Sequence, residues 1–173
     1  IDSNDQAPIG YNPVPEMTFS LAAGLNWKGI DFSILLQGAA RSSIYLQQDI
    51  AWDNFWGNYY EEHIGRWTPE TAATATYPRF TKAATAAHPN YYKSDYWLKD
   101  SKYLRLKNIQ LGYTIPRKLL KKFGVRYLRV YANAYNLFTW DNVKKVDPES
   151  SNNSNGQFYP QQKVINFGIN LNF

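Results

Sequence analysis

The chain has 173 residues with no cysteine, 19% charged and 17% aromatic residues, and a formal charge of +5. Without cysteine there is neither a disulfide framework nor thiol chemistry, and no apolar run reaches the roughly eighteen residues of a membrane-spanning helix. Aromatic excess with few charges is the bias of transmembrane β-barrels; a mean hydropathy of −0.53 also fits a carbohydrate-binding β-sandwich, which exposes aromatics too.

The opening Ile1-Asp2-Ser3-Asn4-Asp5 reads as the middle of a longer protein, so a C-terminal part is expected. Asp2 and Asp5 stand where late acidic ligands of a calcium loop would lie, although the first half of such a loop is absent and a polar loop start explains them as well. Two strands follow within 17–41. Met17, Phe19, Leu21, Ala23, Leu25 and Trp27 alternate with small or polar residues; after Lys28-Gly29, Ile30, Phe32, Ile34 and Leu36 do the same. A two-residue connection between alternating runs predicts a hairpin.

Residues 42–99 have no sustained period but hold Trp52, Phe55, Trp56, Tyr59, Tyr60 and Trp67. A segment this rich in aromatics is not a disordered one, and a long connection is usually functional. Those six residues are candidate contacts for substrate or for a lid protein; packing of the loop against itself or a partner competes with direct stacking on sugar. Ala83 to Ala87 suggests a helical turn. His63 beside Glu61 and Glu62 is a weak metal cue and reads more simply as a surface group.

Two strands joined by a short turn are expected over 103–140. In the first, Ile109, Leu111, Tyr113 and Ile115 share a face, and simple alternation puts Arg105 and Lys107 on that apolar side too, so the strand bulges or leaves the bilayer there. Pro116 ends it, and the basic stretch from Arg117 suggests one helical turn closed by Gly124. Leu128, Val130, Ala132 and Ala134 form one face of the next strand. A second polar loop spans 141–162, in which Asp147 and Glu149 flank Pro148 and fix the loop more readily than they act as paired carboxylates. The last strand, 163–173, sets Phe167, Ile169, Leu171 and Phe173 opposite Asn166, Gly168, Asn170 and Asn172.

The composite is all-β: about five antiparallel strands of a large transmembrane barrel, with short turns at one end and long loops at the other. Such strands have open edges, so the remainder of the wall comes from elsewhere. Asp31, Gln37, Arg41, Asn133, Tyr135 and Asn170 are the candidate lumen-facing residues. No nucleophile set, phosphate loop or nucleic-acid motif occurs, so neither an enzyme nor a nucleic-acid binder is expected.

Tyr103-Leu104-Arg105-Leu106-Lys107-Asn108-Ile109-Gln110-Leu111-Gly112-Tyr113-Thr114-Ile115-Pro116 resembles the C-terminal region of the SusC/RagA family of TonB-dependent outer-membrane transporters of Bacteroidetes. Leu128-Arg129-Val130-Tyr131, Asn136-Leu137-Phe138, Asp147-Pro148-Glu149, Tyr159-Pro160 and the ending Phe167 to Phe173 follow in the family's order, while Trp67-Thr68-Pro69-Glu70 and Tyr77-Pro78-Arg79 resemble it upstream. The resemblance implies the end of a 22-stranded plugged barrel in the outer membrane, whose lipid would surround the wall. It also implies a SusD-like surface lipoprotein, energy from the TonB complex acting through an absent N-terminal part, and import of glycans or of peptides. Phe167, Ile169, Leu171 and Phe173 then resemble an assembly signal. A soluble carbohydrate-binding β-sandwich stays as the alternative of another class; it needs about seven short strands.

Overall fold

The computed structural model describes residues 3–82, 88–150 and 159–173. The helical turn expected at Ala83 to Ala87 and the candidate ligand Asp2 lie outside the described residues. In chain order the strands are β1 (Met17–Trp27), β2 (Ile30–Ala40), β3 (Ser43–Tyr45), β4 (Leu98–Asp100), β5 (Tyr103–Thr114), β6 (Tyr127–Asp141) and β7 (Val164–Asn172). The chain divides into a sheet unit (Glu16–Ala40, Lys102–Asp141, Pro160–Phe173) and a loop unit (Ile1–Pro15, Arg41–Ser101, Asn142–Tyr159).

The sheet unit is one antiparallel sheet in the order β1-β2-β5-β6-β7. The expected hairpin forms: Trp27 pairs with Ile30 and Met17 with Ala40. Lys28 and Gly29 both have positive φ, 48° and 88°. That is the type I′ geometry whose twist matches the flanking strands. Gly29 has a second reason to be glycine, since a Cβ there would stand 2.7 Å from the Thr114 carbonyl oxygen.

The register gathers the apolar residues on one face. Trp27, Ile30, Tyr113, Val130 and Ile169 form a row across all five strands, and so do Leu25, Phe32, Leu111, Ala132 and Phe167. Directly paired residues share a face, so the period of two seen in each strand becomes a continuous surface.

Near its middle β5 is irregular. Its register against both neighbours skips Lys107, and β6 skips Asn136 and Leu137, with Asn136 at a φ of 51°. The bulge reverses the alternation, so Leu104 and Leu106 join the apolar face beside Trp140 and Phe138. Arg105 therefore lies on the opposite face, which corrects the placement that plain alternation implies. It is only 1% exposed, and its Nε donates to Thr139 Oγ1 at 2.9 Å.

After β5 a short helix, α1 (Arg117–Leu120), runs into a 3-10 turn (Lys121–Phe123) capped by Gly124 at a φ of 69°, as the basic stretch suggested. Leu120 alone of this turn is buried.

The loop unit contains the stretch read as a long connection, and it has its own core. Ile44, Leu46, Ala51, Trp52, Tyr77, Tyr91, Trp97 and Val143 are buried together. β3 pairs with β4, and the remainder is turns and short 3-10 helices. Ring packing replaces regular secondary structure here: Trp52 lies 4.7 Å from Tyr91, and Tyr77 lies 5.9 Å from Trp97, centroid to centroid. Burying a large side chain of this kind contributes about 1.5–3 kcal/mol, enough to order a segment that has few backbone ladders.

Candidate functional site

The first surface that invites a function is the apolar face of the sheet. Phe167 is 83% exposed, and Leu21, Leu25, Trp27, Leu111, Phe138, Trp140, Ile165, Ile169 and Leu171 are exposed as well. An apolar area spanning five strands exceeds what soluble monomers normally leave to water. Its dimensions suit lipid. Eleven residues of β1 at about 3.3 Å each, tilted by about 45°, cover an apolar band about 25 Å tall. Aromatic rings flank both ends, with Trp27 and Tyr113 in one row, and Phe19 and Trp140 in another that also holds Gly38 and Leu104. A sandwich would cover this face with a second sheet. Among the described residues, β1 pairs only with β2, and β7 only with β6.

The opposite face is polar. Asp31, Gln37, Asn133, Tyr135 and Asn170 fall on it by register. Arg129 donates through Nε to Asp31 Oδ1 at 2.9 Å and through Nη2 to Asp31 Oδ2. This two-pronged pair ties β6 to β2 across β5, passing over Gly112, where a Cβ would come within 2.5 Å of both partners. A bidentate guanidinium and carboxylate is the strong form of such a contact. Asn166 donates to Asn133 at 3.0 Å. Tyr131 lies over Gly168, where a Cβ would stand 2.3 Å from its ring. Arg41 follows the end of β2 and belongs to the loop unit, with a φ of 54°.

In the loop unit the six aromatic candidates separate. Trp52 is 3% exposed and belongs to the core, so it is not a surface contact. Phe55 packs partly against that core, edge-on to Trp52 at 5.8 Å. Trp56 is 82% exposed, and Tyr59, Tyr60 and Trp67 are exposed too. Trp56 stands edge-on to Phe55 at 6.1 Å. The segment therefore roots two rings inward and offers the others outward. His63 is buried; its Nδ1 accepts from the Tyr60 N–H at 3.1 Å, and its Nε2 lies 3.2 Å from the Ala51 carbonyl. It braces the turn from within, and no group of three or more metal-ligating side chains occurs among the described residues. Asp147 Oδ1 accepts from the Glu149 N–H at 2.9 Å, so this carboxylate fixes its own loop.

Asp53 is the residue that sequence patterns do not reveal. It is buried, and its carboxylate accepts from the hydroxyls of Tyr77 and Tyr91 and from the Thr81 N–H. Tyr77 also donates to the Ala51 carbonyl at 2.9 Å. Burial, with Asp53 beside them, drives both tyrosines far above the usual phenol range. Lys145 contacts Glu62 and donates to the Ile50 carbonyl at 3.4 Å. Burial pushes its ammonium down to about 8, although Glu62 favours the charged form.

The tyrosines carry a prediction. In the unfolded chain they ionise near 10; in the folded unit they ionise far higher. Stability from this pair is therefore complete below about pH 10 and falls as pH rises beyond it. In a titration of the full-length protein followed at 295 nm, two tyrosines are expected to stay protonated until the loop unit opens. Their smooth ionisation near pH 10 in a folded protein would contradict this.

Comparisons with known proteins extend the geometry. No family model matches the chain. TonB-dependent receptor P26 of Formosa agariphila is 30% identical over 190 residues, covering 100% of this chain and 18% of the relative. TonB-dependent receptor SusC of Bacteroides thetaiotaomicron is 26% identical over 175 residues, covering 100% and 16%. The chain thus spans less than a fifth of the length of these curated relatives. Two structures of the RagAB peptide importer, in open-open and closed-closed states, match with TM-scores of 0.73 and 0.74 at 22% and 23% identity. Each covers 100% of this chain and 19% of its own. At that identity the likeness concerns fold, and it fits a five-stranded antiparallel sheet that is part of a larger barrel.

Proposed function

We propose that this chain is a SusC/RagA-like region of a TonB-dependent transporter, a reading its likeness to TonB-dependent receptors supports, and that it is wall and outer loop of an outer-membrane nutrient importer. The observation that carries the reading is the exposed apolar face, continuous over five strands and flanked by aromatic rows, on a sheet with two open edges. In a membrane such edges require a closed barrel, which the rest of the protein supplies. The polar face, with its Arg129–Asp31 tie, then faces the lumen or a plug, and Asp31, Gln37, Asn133, Tyr135 and Asn170 lie along it. The long loop unit stands on the outer side, because barrels of this class keep short turns at the periplasm.

Transport in this reading needs no covalent step from these residues. A substrate is held between barrel and a SusD-like lipoprotein, the plug rearranges under TonB, and the substrate passes the lumen. Glycans or oligosaccharides are the proposed cargo: the apolar face of a sugar ring packs on exposed rings, and Trp56, Tyr59, Tyr60 and Trp67 offer them. Peptides are the second reading, favoured by the fold likeness to a protein described as a peptide importer. Phe167, Ile169, Leu171 and Phe173 serve in addition as the strand read during barrel assembly.

The test is a strain lacking the full-length protein, grown on single carbon sources. Loss of growth on one polysaccharide, with growth on peptides intact, is expected. Loss on peptides alone would replace glycan by peptide. Unchanged growth and uptake on both classes would overturn the importer reading.

A further inference from the structure

The turn between β5 and β6 has a composition that barrel closure does not require. Arg117, Lys118, Lys121, Lys122 and Arg126 are all exposed. Lys28, in the β1–β2 turn, stands at the same end of the sheet, because Ile30 pairs with Tyr113 and Tyr113 with Val130. No Asp or Glu occurs from Lys102 to Trp140. The nearby carboxylate on β2, Asp31, is already held by Arg129. Between these cations two apolar side chains point outward: Leu119 is 64% exposed and Phe123 is 76% exposed. They are four residues apart, so they share one side of the short helical turn. Leu120, buried, anchors that turn to the sheet unit.

We propose that the Pro116–Arg126 turn is a docking foot for the headgroups of anionic glycerophospholipids in the bilayer leaflet at the short-turn end. The proposal rests on the membrane reading above. Charge complementarity selects the occupant: a cluster of exposed cations, beside an Asp31 already held by Arg129, matches phosphodiesters. Leu119 and Phe123 match the acyl boundary just beneath them, as in interfacial segments that combine basic and large apolar residues. A water-exposed turn has no use for two outward apolar groups, and an acidic soluble partner would account for the lysines alone. Each basic residue near an anionic bilayer surface strengthens binding about fivefold, and the attraction falls off within a Debye length.

The experiment uses the full-length protein in phosphatidylcholine vesicles containing a trace of photoactivatable phosphatidylglycerol or phosphatidylcholine, the reactive group on the headgroup. Labelled peptides are mapped by mass spectrometry. Phosphatidylglycerol is expected to label the Arg117–Arg126 segment several-fold more than phosphatidylcholine does, less so in high salt. In Lys118→Gln/Lys121→Gln/Lys122→Gln that preference should fall to near parity, since each lysine removed forfeits about a fivefold gain. Equal labelling by both lipids, or a preference unchanged in the variant, would overturn the docking foot; the former would leave an acidic protein as the partner of this turn. Acyl-chain probes on Leu21 and Phe167 form the control. Absence of label there would sink the membrane reading itself, whereas label there without lipid preference at the turn sinks this proposal only.

Discussion

Phe167→Arg is expected to remove most of the assembled protein from the outer membrane, while Phe167→Leu leaves it close to normal. The argument depends on how little of Phe167 the chain itself covers. At 83% exposure the ring makes few contacts that a substitution could break. In a soluble protein an arginine at such a site would be neutral, or would improve solubility, since surface changes stay within about 0.5 kcal/mol. On the lipid side of a barrel the same change costs about 2–4 kcal/mol near the bilayer midplane, and less towards either interface. Phe167 pairs with Ala132 on β6, one row in from the Trp27–Tyr113 row, so a cost of about 2 kcal/mol is reasonable there. Quantitative detection of folded, heat-modifiable protein in outer-membrane fractions reads this directly. Equal amounts of the arginine variant and the parent would mean that the face does not meet lipid.

Asp53→Ala is expected to open the loop unit while leaving the five-stranded sheet paired. The alanine would take the carboxylate away from the hydroxyl of Tyr91 and the N–H of Thr81 inside a ring-packed core, while Tyr77 keeps the Ala51 carbonyl. A hydrogen bond to a charged group contributes about 1.5–3 kcal/mol, and the two lost by Tyr91 and Thr81 come to about 3–5 kcal/mol, within the range for breaking a buried polar pair. Asp53→Asn should lie between, because its amide keeps one acceptor but presents N–H to a donor. Limited proteolysis of the full-length protein is the readout. Cleavage within Arg41–Ser101 should accelerate about a hundredfold or more in the alanine variant when opening is fast relative to cutting, with the wall strands still resistant. An alanine variant as resistant as the parent would show that the rings hold the unit without their acceptor.

Local sequence determined the strands, because their causes are local. Alternation of apolar and small residues at Met17 to Trp27 can satisfy only a pleated ribbon with two unlike faces. Lys28-Gly29 can join two such ribbons only through a turn with positive φ. Gly124 ended the basic turn for the same kind of reason. The all-β class, the hairpin, the apolar side of β7 and the resemblance to the transporters were legible on these grounds. Tertiary structure decided what depends on partners distant in the chain. The side on which Arg105 falls is set by pairing with β2 and β6, which skips Lys107 and cannot be seen along one strand. Trp52 and Trp56, four residues apart, looked equivalent; packing against Tyr91 buried one and left the other in the open. Asp53 looked like any loop aspartate until the chain brought Tyr77, Thr81 and Tyr91 around it. Period and turn chemistry act between neighbours, whereas register shifts and burial are settled by every strand and ring that must fit at once.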